Sequence, residues 1–399
     1  MKRIAFLLAA LFFTLLPLAA QGADTLRLGA ERHEVYLPKL KGKRVALFSN
    51  QTGLLPDGRH ILDDLRTRGV DVRCIFSPEH GFRGTAGAGV NVASSTDPAT
   101  GLPIVSLYDA GRHGSLNTAL LDSVDVVICD FQDVGLRFYT YYITMSRIMD
   151  LAAKTGREVM VLDRPNPNGM YVDGPVLDPK YRSGVGRYPI PVVHGMTPGE
   201  LALMIDGEGW LEDGRRLADR LTVIPCTGYT HATRYALPVA PSPNLRSMLA
   251  VYLYPSLCLF EGTKASLGRG TDRPFEMYGA PGYKPAPGQA DFTFTPRSVP
   301  AAENPPMRDR LCHGVDLSSM PEGKAIDGGF DLSYVIDAYR KCGCPADFFT
   351  SFFDLLAGTD DVRDRIVAGE SAETIRASWQ DELDSFRDIR AKYLLYPEK

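Results

Sequence analysis

The chain has 399 residues, 48 acidic against 44 basic, for a formal net charge of −4, a length that predicts two or three domains at roughly 150 residues each. With 44% hydrophobic and 10% aromatic residues it can bury a core, which excludes whole-chain disorder, and with only 23% charged residues in slightly acidic balance it carries no basic nucleic-acid footprint. The 38 Gly and 29 Pro are scattered rather than periodic, which excludes collagen-like and coiled-coil architectures.

Lys2 and Arg3 lead into an apolar run, 4–16, broken by Pro17 and followed by Ala19, Ala20, Gly22 and Ala23. That order is the one of an export signal, with cleavage after Ala20, Gly22 or Ala23. The run is short and proline-interrupted for a bilayer span. Residues 1–23 therefore read as a removed signal, and the mature protein as periplasmic or secreted, with no stable membrane insertion.

Beyond a short lead, strand-like and helical patterns alternate. RVALFSN (44–50) predicts a strand, and HILDDLRTRG (60–69) a helix with Ile61, Leu62 and Leu65 on one face and Gly69 as its stop. VDVRCIF (70–76), PIVSLY (103–108) and SVDVVICDF (123–131) predict further strands, the last apolar enough to be buried on both faces. A helix over 141–156 and a strand over 157–163 follow. Thr197-Pro198-Gly199-Glu200 opens another helix, with Thr as N-cap and Glu three residues on. This alternation predicts an α/β fold, a Rossmann-like doubly wound parallel sheet over 24–243. Proline-rich LPVAPSPN (237–244) marks the seam to a smaller α+β domain over 244–399. There SLCLFEG (256–262) reads as a strand, 268–306 as a long loop, and 334–343, 346–358 and 371–393 as helices.

Cys74, Cys129 and Cys258 sit in apolar strand-like runs and read as buried thiols, whereas Cys312, Cys342 and Cys344 could supply one disulfide. The C-G-C spacing is no zinc ribbon, and the histidines lack metal-ligand spacing, so no metal is expected.

In open α/β sheets, ligands bind at the carboxyl ends of the strands. Those ends here read Asn50-Gln51, Ser77-Pro78-Glu79-His80-Gly81-Phe82-Arg83-Gly84, Asp130 with Gln132, Asp133, Arg137 and Tyr139, and Asp163-Arg164 with Asn166. A shared polar site is the better explanation of so many such endings. In SPEHGFRG, Pro78 ends the strand abruptly, while Gly81 and Gly84 let the backbone approach a ligand. Glu79 can serve as a general acid; His80 either carries the proton, orients Glu79, or is a loop histidine bonded to backbone. Glu261, beside the SxGRGT run (266–271), is the second candidate carboxyl. Asp130 and Asp133 bind a cation, contact a sugar, or cap a turn. GTAGAG (84–89) reads as a loop over the site, since no P-loop lysine accompanies it. No GxSxG or HExxH motif is present.

SPEHGFRG, DxQDVGxRFYTY (130–141), LDRPNPNG (162–169), PVVHGMTPGE (191–200), PSPN (241–244) and YPSLCLFEGTxxSxGRGTxxPF (254–275) together resemble one bacterial family, the exo-acting β-N-acetylmuramidases, formerly a domain of unknown function. The resemblance runs from about Arg44 to the C-terminus. It implies a glycosidase that removes N-acetylmuramic acid from the non-reducing ends of peptidoglycan-derived glycans or muropeptides, in a cleft between two domains, without a cofactor. Glycoside hydrolysis uses two carboxyl groups, or one and the substrate's acetamido group. The resemblance assigns catalysis to Glu79 and Glu261 with His80. It places Asn50, Gln51, Asp130, Gln132, Asp133, Tyr139, Asp163, Asn166, His194 and Asn244 on the substrate. Arg83, Arg137, Arg164 and Arg269 are candidates to grip the lactyl carboxylate, a task suited to a bidentate guanidinium. Tyr139 or Tyr141 stacks on the sugar or packs in the core.

Overall fold

In a computed structural model, the described residues are 25–84, 94–107, 117–288 and 291–399. The proposed export signal and residues 85–89 of the glycine-rich loop lie outside them. A helix α1 (His33–Leu40) precedes β1 (Arg44–Ser49), α2 (Ile61–Thr67) and β2 (Asp71–Ser77). Then come β3 (Ser95–Thr96), β4 (Pro103–Ser106), β5 (Val126–Asp130), α3 (Tyr141–Thr155) and β6 (Glu158–Leu162). A two-stranded ribbon, β7 (Asp173–Val176) with β8 (Pro191–Val193), leads to α4 (Pro198–Gly207) and β9 (Leu221–Ile224).

The main sheet has the order β3-β4-β2-β1-β5-β6-β9, parallel except at the short β3–β4 edge. Its six parallel strands thus follow the Rossmann order 3-2-1-4-5-6, with the reversal between β1 and β5. Both faces are covered. Val45 and Leu47 of β1 pack with Ile61, Leu62 and Leu65 of α2 and Tyr36 and Leu40 of α1. Ala46 and Phe48 point the other way, into a cluster with Met145, Ile148 and Met149 of α3 and Leu201 of α4. This two-sided burial is why the strands read as continuous apolar runs rather than alternating ones. Gly156, at φ +70°, ends α3 in the left-handed conformation. The predicted capping box opens α4: Glu200 N–H donates to Thr197 Oγ1 and Thr197 N–H to Glu200 Oε2.

The C-terminal part departs from the sequence reading in three places. SLCLFEG is not a strand: α5 (Met248–Leu257) runs into a 3-10 turn over Cys258–Gly262, so Cys258 is a helical thiol and Glu261 sits at a helix end. Every residue from Leu249 to Leu257 is buried, and an unbroken apolar run carries no period to separate helix from strand. Pro255 inside α5 removes the donor that would reach the Val251 carbonyl, which accepts instead from Asn168 Nδ2 at 3.4 Å. The stretch 268–306 holds two strands, β10 (Met277–Ala280) and β11 (Phe292–Phe294), which flank β12 (Cys312–Asp316) in an antiparallel sheet.

Helices α6 (Glu322–Gly328), α7 (Ser333–Lys341), α8 (Ser351–Ala357) and α9 (Asp361–Val367) follow. The expected single helix near 371–393 is two, α10 (Ala372–Ala377) and α11 (Gln380–Arg390). Cys312, Cys342 and Cys344 are free thiols, as are the other four cysteines. Among the described residues no helix is long and apolar enough to cross a membrane.

Candidate active site

The carboxyl ends of β2, β1 and β5 lie side by side, since Phe48 pairs with Phe76 and Ser49 with Asp130. Their continuations form a polar floor at the reversal point of the sheet. Asn50 Oδ1 accepts from both Thr52 N–H, at 3.0 Å, and Thr52 Oγ1, at 2.6 Å, and Thr52 Oγ1 in turn accepts from Gln132 N–H at 2.8 Å. Gln132 Nε2 donates to the carbonyls of Asp133 and Pro165. Among the described residues, five buried polar atoms of this floor find no hydrogen-bond partner: Asn50 Nδ2, Gln51 Oε1, Ser77 Oγ, Gln132 Oε1 and Asp133 Oδ2. Orphaned atoms are costly in an interior, and their gathering just after β1, β2 and β5 marks a place suited to a polar ligand.

Glu79 stands at the edge of this floor. Two tight turns follow β2, with Gly81 N–H donating to the Pro78 carbonyl and Gly84 N–H to the Gly81 carbonyl. His80 takes φ +68°, a conformation uncommon for a residue with a Cβ and one that collects at functional sites. Gly84, at φ +69°, lies so close to Gln51 that an added Cβ would fall 2.2 Å from its Cδ. The turns bury Glu79 to 9% exposure, with Oε2 accepting from Thr140 Oγ1 at 2.7 Å. Tyr141 follows at the start of α3; its phenol is pushed well above its usual range, first by burial and then by the charge of Glu79.

Tyr139 and Tyr141 belong to the core rather than to an open stacking face. Both hydroxyls donate to the Pro241 carbonyl, at 2.8 and 3.0 Å, and Gln51 Nε2 reaches the same oxygen at 3.2 Å. These bonds fasten the PSPN segment to the first domain. From there a row of edge-to-face rings, Tyr141, Tyr139, Tyr254 and Phe275, leads to the second candidate carboxyl. Glu261 is paired with Arg269, Oε1 receiving Nε at 2.9 Å and Nη2 at 2.5 Å, and the guanidinium lies 5.1 Å from the Phe275 ring centre. Asn244 Nδ2 donates to the Ala301 carbonyl.

The four arginines separate sharply. Arg137 is fully buried and donates to four carbonyls, those of Pro175, Ile190, Leu356 and Ala357. Arg164 forms a buried two-pronged pair with Asp130, at 2.6 and 2.9 Å, and reaches the Leu54 carbonyl. Arg83 shares the loop of Glu79, pairs with Asp97, lies over Phe82 and keeps a 56% exposed side chain. Arg269 is tied to Glu261.

Further candidates lie in the packing behind the floor. Asp163, pushed up to about 6 chiefly by burial, accepts from Tyr396 and Thr197 hydroxyls and from Gly199 N–H at the start of α4. Asn166 bridges Met196 and Asn168 and crowds Gly135, where a Cβ would lie 2.1 Å from Oδ1 at φ +78°. His194 is buried, its Nδ1 accepting from Met196 N–H, and burial with Arg390 and Arg137 nearby pushes it down to about 3. Asp133 caps the Gly135 turn through Oδ1, and burial pushes it up to about 7. Thr52 and Ser77 stand in the strand ends of the sequence without an assigned role, and Thr140 lies unremarked between Tyr139 and Tyr141. A lone Thr or Ser after a strand or before a helix is the common turn and cap residue, so its type alone carries no functional signal.

Two family models cover the chain: the N-terminal part of the exo-beta-N-acetylmuramidase NamZ matches residues 45–249, and its C-terminal part matches 252–396. The chain belongs to the exo-beta-N-acetylmuramidase NamZ family. A relative, the peptidoglycan beta-N-acetylmuramidase NamZ of Bacillus subtilis (strain 168), is 37% identical over 98% of this chain and 99% of its own length. Two solved structures of DUF1343 family proteins from Bacteroides fragilis share the fold. One has a TM-score of 0.86 at 50% identity, covering 94% of this chain and 99% of its own. The other has a TM-score of 0.78 at 28% identity, covering 93% and 99%. This NamZ-family chain is thus a glycoside hydrolase by family, on a Rossmann-like sheet with a smaller C-terminal part. Among its described residues no three His, Cys, Asp or Glu side chains are grouped to hold a metal ion.

Proposed function

We propose that this protein is an exo-acting glycosidase that releases N-acetylmuramic acid from the non-reducing ends of peptidoglycan fragments, muropeptides among them. The relative from B. subtilis is a peptidoglycan beta-N-acetylmuramidase, and both halves of the chain fit that family. The observation that carries the residue roles is the placement of Glu79, bonded to Thr140 beside five unpartnered polar atoms where β1, β2 and β5 end. In this reading Glu79 protonates the glycosidic oxygen as the leaving sugar departs. The floor of Asn50, Gln51, Gln132 and Asp133 receives hydroxyl and acetamido groups of the bound residue. Arg83, largely exposed and on the same loop as Glu79, takes the lactyl carboxylate; Arg137 and Arg164 are engaged in the interior. Glu261 sets Arg269 at the far end of the aromatic row. The division into domains at 243/244 puts Glu79 and Glu261 on opposite sides of the seam. Export of the chain through its N-terminal segment would deliver it to the compartment that holds the wall.

A chromogenic β-N-acetylmuramide and defined disaccharides of both linkage orders test the reading. Turnover of the muramide with release of N-acetylmuramic acid is expected. Glu79→Gln should lower kcat by at least about 1,000-fold while a muropeptide still binds. Near-normal turnover in that variant removes Glu79 from the mechanism. Tight binding by the wild type with no cleavage of any muramide or glucosaminide makes the protein a carrier rather than an enzyme.

A further inference from the structure

Thr140 occupies the N-cap position of α3, where a threonine hydroxyl ordinarily accepts from a backbone N–H in the first helical turn. Here the residue has helical angles, φ −80° and ψ −4°, and its side chain makes no capping bond. Its Oγ1 instead donates to Glu79 Oε2 at 2.7 Å, across 61 residues of sequence. The helix gives up a cap, and the hydroxyl reaches the carboxyl of Glu79 at the edge of the polar floor.

We propose that Thr140 is a positioning residue that orients and tunes Glu79, a role that rests on Glu79 being the acid of the reaction. The bond holds Oε2 and so fixes the rotation of the Glu79 carboxyl. The bond also strengthens as Glu79 becomes a carboxylate, because hydrogen bonds to an ionised acceptor are about twice as strong as neutral ones. Thr140 therefore stabilises the charge that develops as the proton moves to the leaving oxygen. Tyr141, the next residue on α3, cannot take over this task, since its hydroxyl is directed to the Pro241 carbonyl. Among the described residues, titratable groups beside Glu79 include its chain neighbour His80 and, from α3, Tyr141. Arg83 on the same loop is held by Asp97.

A general acid leaves a carboxylate behind when it gives up its proton, so removing the hydroxyl in Thr140→Val takes support from the charge that forms at that step. At the optimum kcat should fall roughly 10- to 100-fold with KM changed less than about 3-fold. Thr140→Ser keeps the hydroxyl and should restore the rate. If Thr140→Val does not fold, Thr140→Ala carries the same expectation. A loss of kcat matched by an equal rise in KM, or no rescue by serine, makes Thr140 merely structural and overturns the proposal. The companion variant Glu79→Gln separates the two readings. If it is inactive while Thr140→Val and Thr140→Ala behave as wild type, only the role of Thr140 fails; if it is active, the assignment of Glu79 fails first.

Discussion

Replacing Arg137 by Met tests whether this arginine holds the fold or the substrate. Its guanidinium links the β7–β8 region, through the Pro175 and Ile190 carbonyls, to the C-terminal end of α8, through the Leu356 and Ala357 carbonyls. A cation is favourable at a helix C-terminus, where carbonyls lack partners. Methionine keeps much of the volume and removes every donor. Burial pushes the guanidinium down to about 10, so losing the charge recovers roughly 3 kcal/mol. Three buried carbonyls then lose this donor, at about 1–3 kcal/mol each, while that of Ile190 keeps the Leu177 N–H. The balance is a net destabilisation of about 3 kcal/mol, a large fraction of what a typical domain possesses. Urea unfolding followed by circular dichroism measures it as a lowered midpoint with an unchanged slope. A variant as stable as wild type, but with KM for the muramide raised tenfold or more, would refute the assignment of Arg137 to the interior.

Arg83→Ala should act in the opposite way: unfolding stability within about 0.5 kcal/mol of wild type, and KM for muramides raised roughly tenfold, with a smaller effect on substrates lacking the lactyl carboxylate. An equal loss on both substrate classes removes Arg83 from carboxylate recognition. Asp133 makes a pH prediction. Its folded value, near 7, lies above the ordinary 3.8, so between about 4 and 7 the folded state holds a proton that the unfolded chain has released. Stability from this group is therefore present at low pH and lost as pH rises through that window, by up to roughly 4 kcal/mol. Buried Asp163, near 6, slopes the same way, while His194, held near 3, slopes oppositely below about 6.5. The measurement is accordingly the difference between wild type and Asp133→Asn across pH 4–7, which should grow with pH in favour of the asparagine variant. A difference that stays flat shows Asp133 ionised throughout.

Much of the N-terminal half was legible in the sequence because its strands are buried on both faces. RVALFS and VVICD are nearly continuous apolar runs ended by polar residues, DVRCIFS becomes one after the exposed Arg73, and each became a central strand. The capping box at Thr197 and the glycine stop at Gly156 held for the same local reason, since caps depend on a few adjacent residues. The edge strand β9 is four residues long and half-buried, which leaves little pattern to read. At SLCLFEG the run is apolar throughout, so length and context decided for a helix where residue types could not. The same limit applies to the arginines: four looked alike as anion binders, and which of them face inward depends on carbonyls from segments up to 220 residues away.

The sequence by itself determined the family, the parallel sheet, and the concentration of polar residues after its strands. These follow from motif identity and from the short-range rules of burial and capping. Only the tertiary structure decided which of those residues meet. It set Glu79 against Thr140 across two crossovers, turned Tyr139 and Tyr141 onto the single carbonyl of Pro241, and buried Arg137, Arg164 and Asp163 in the framework behind the floor. The physical reason is that a side chain's role is set by its partners in space. A sheet whose strand order reverses between β1 and β5 brings together segments that the chain keeps far apart.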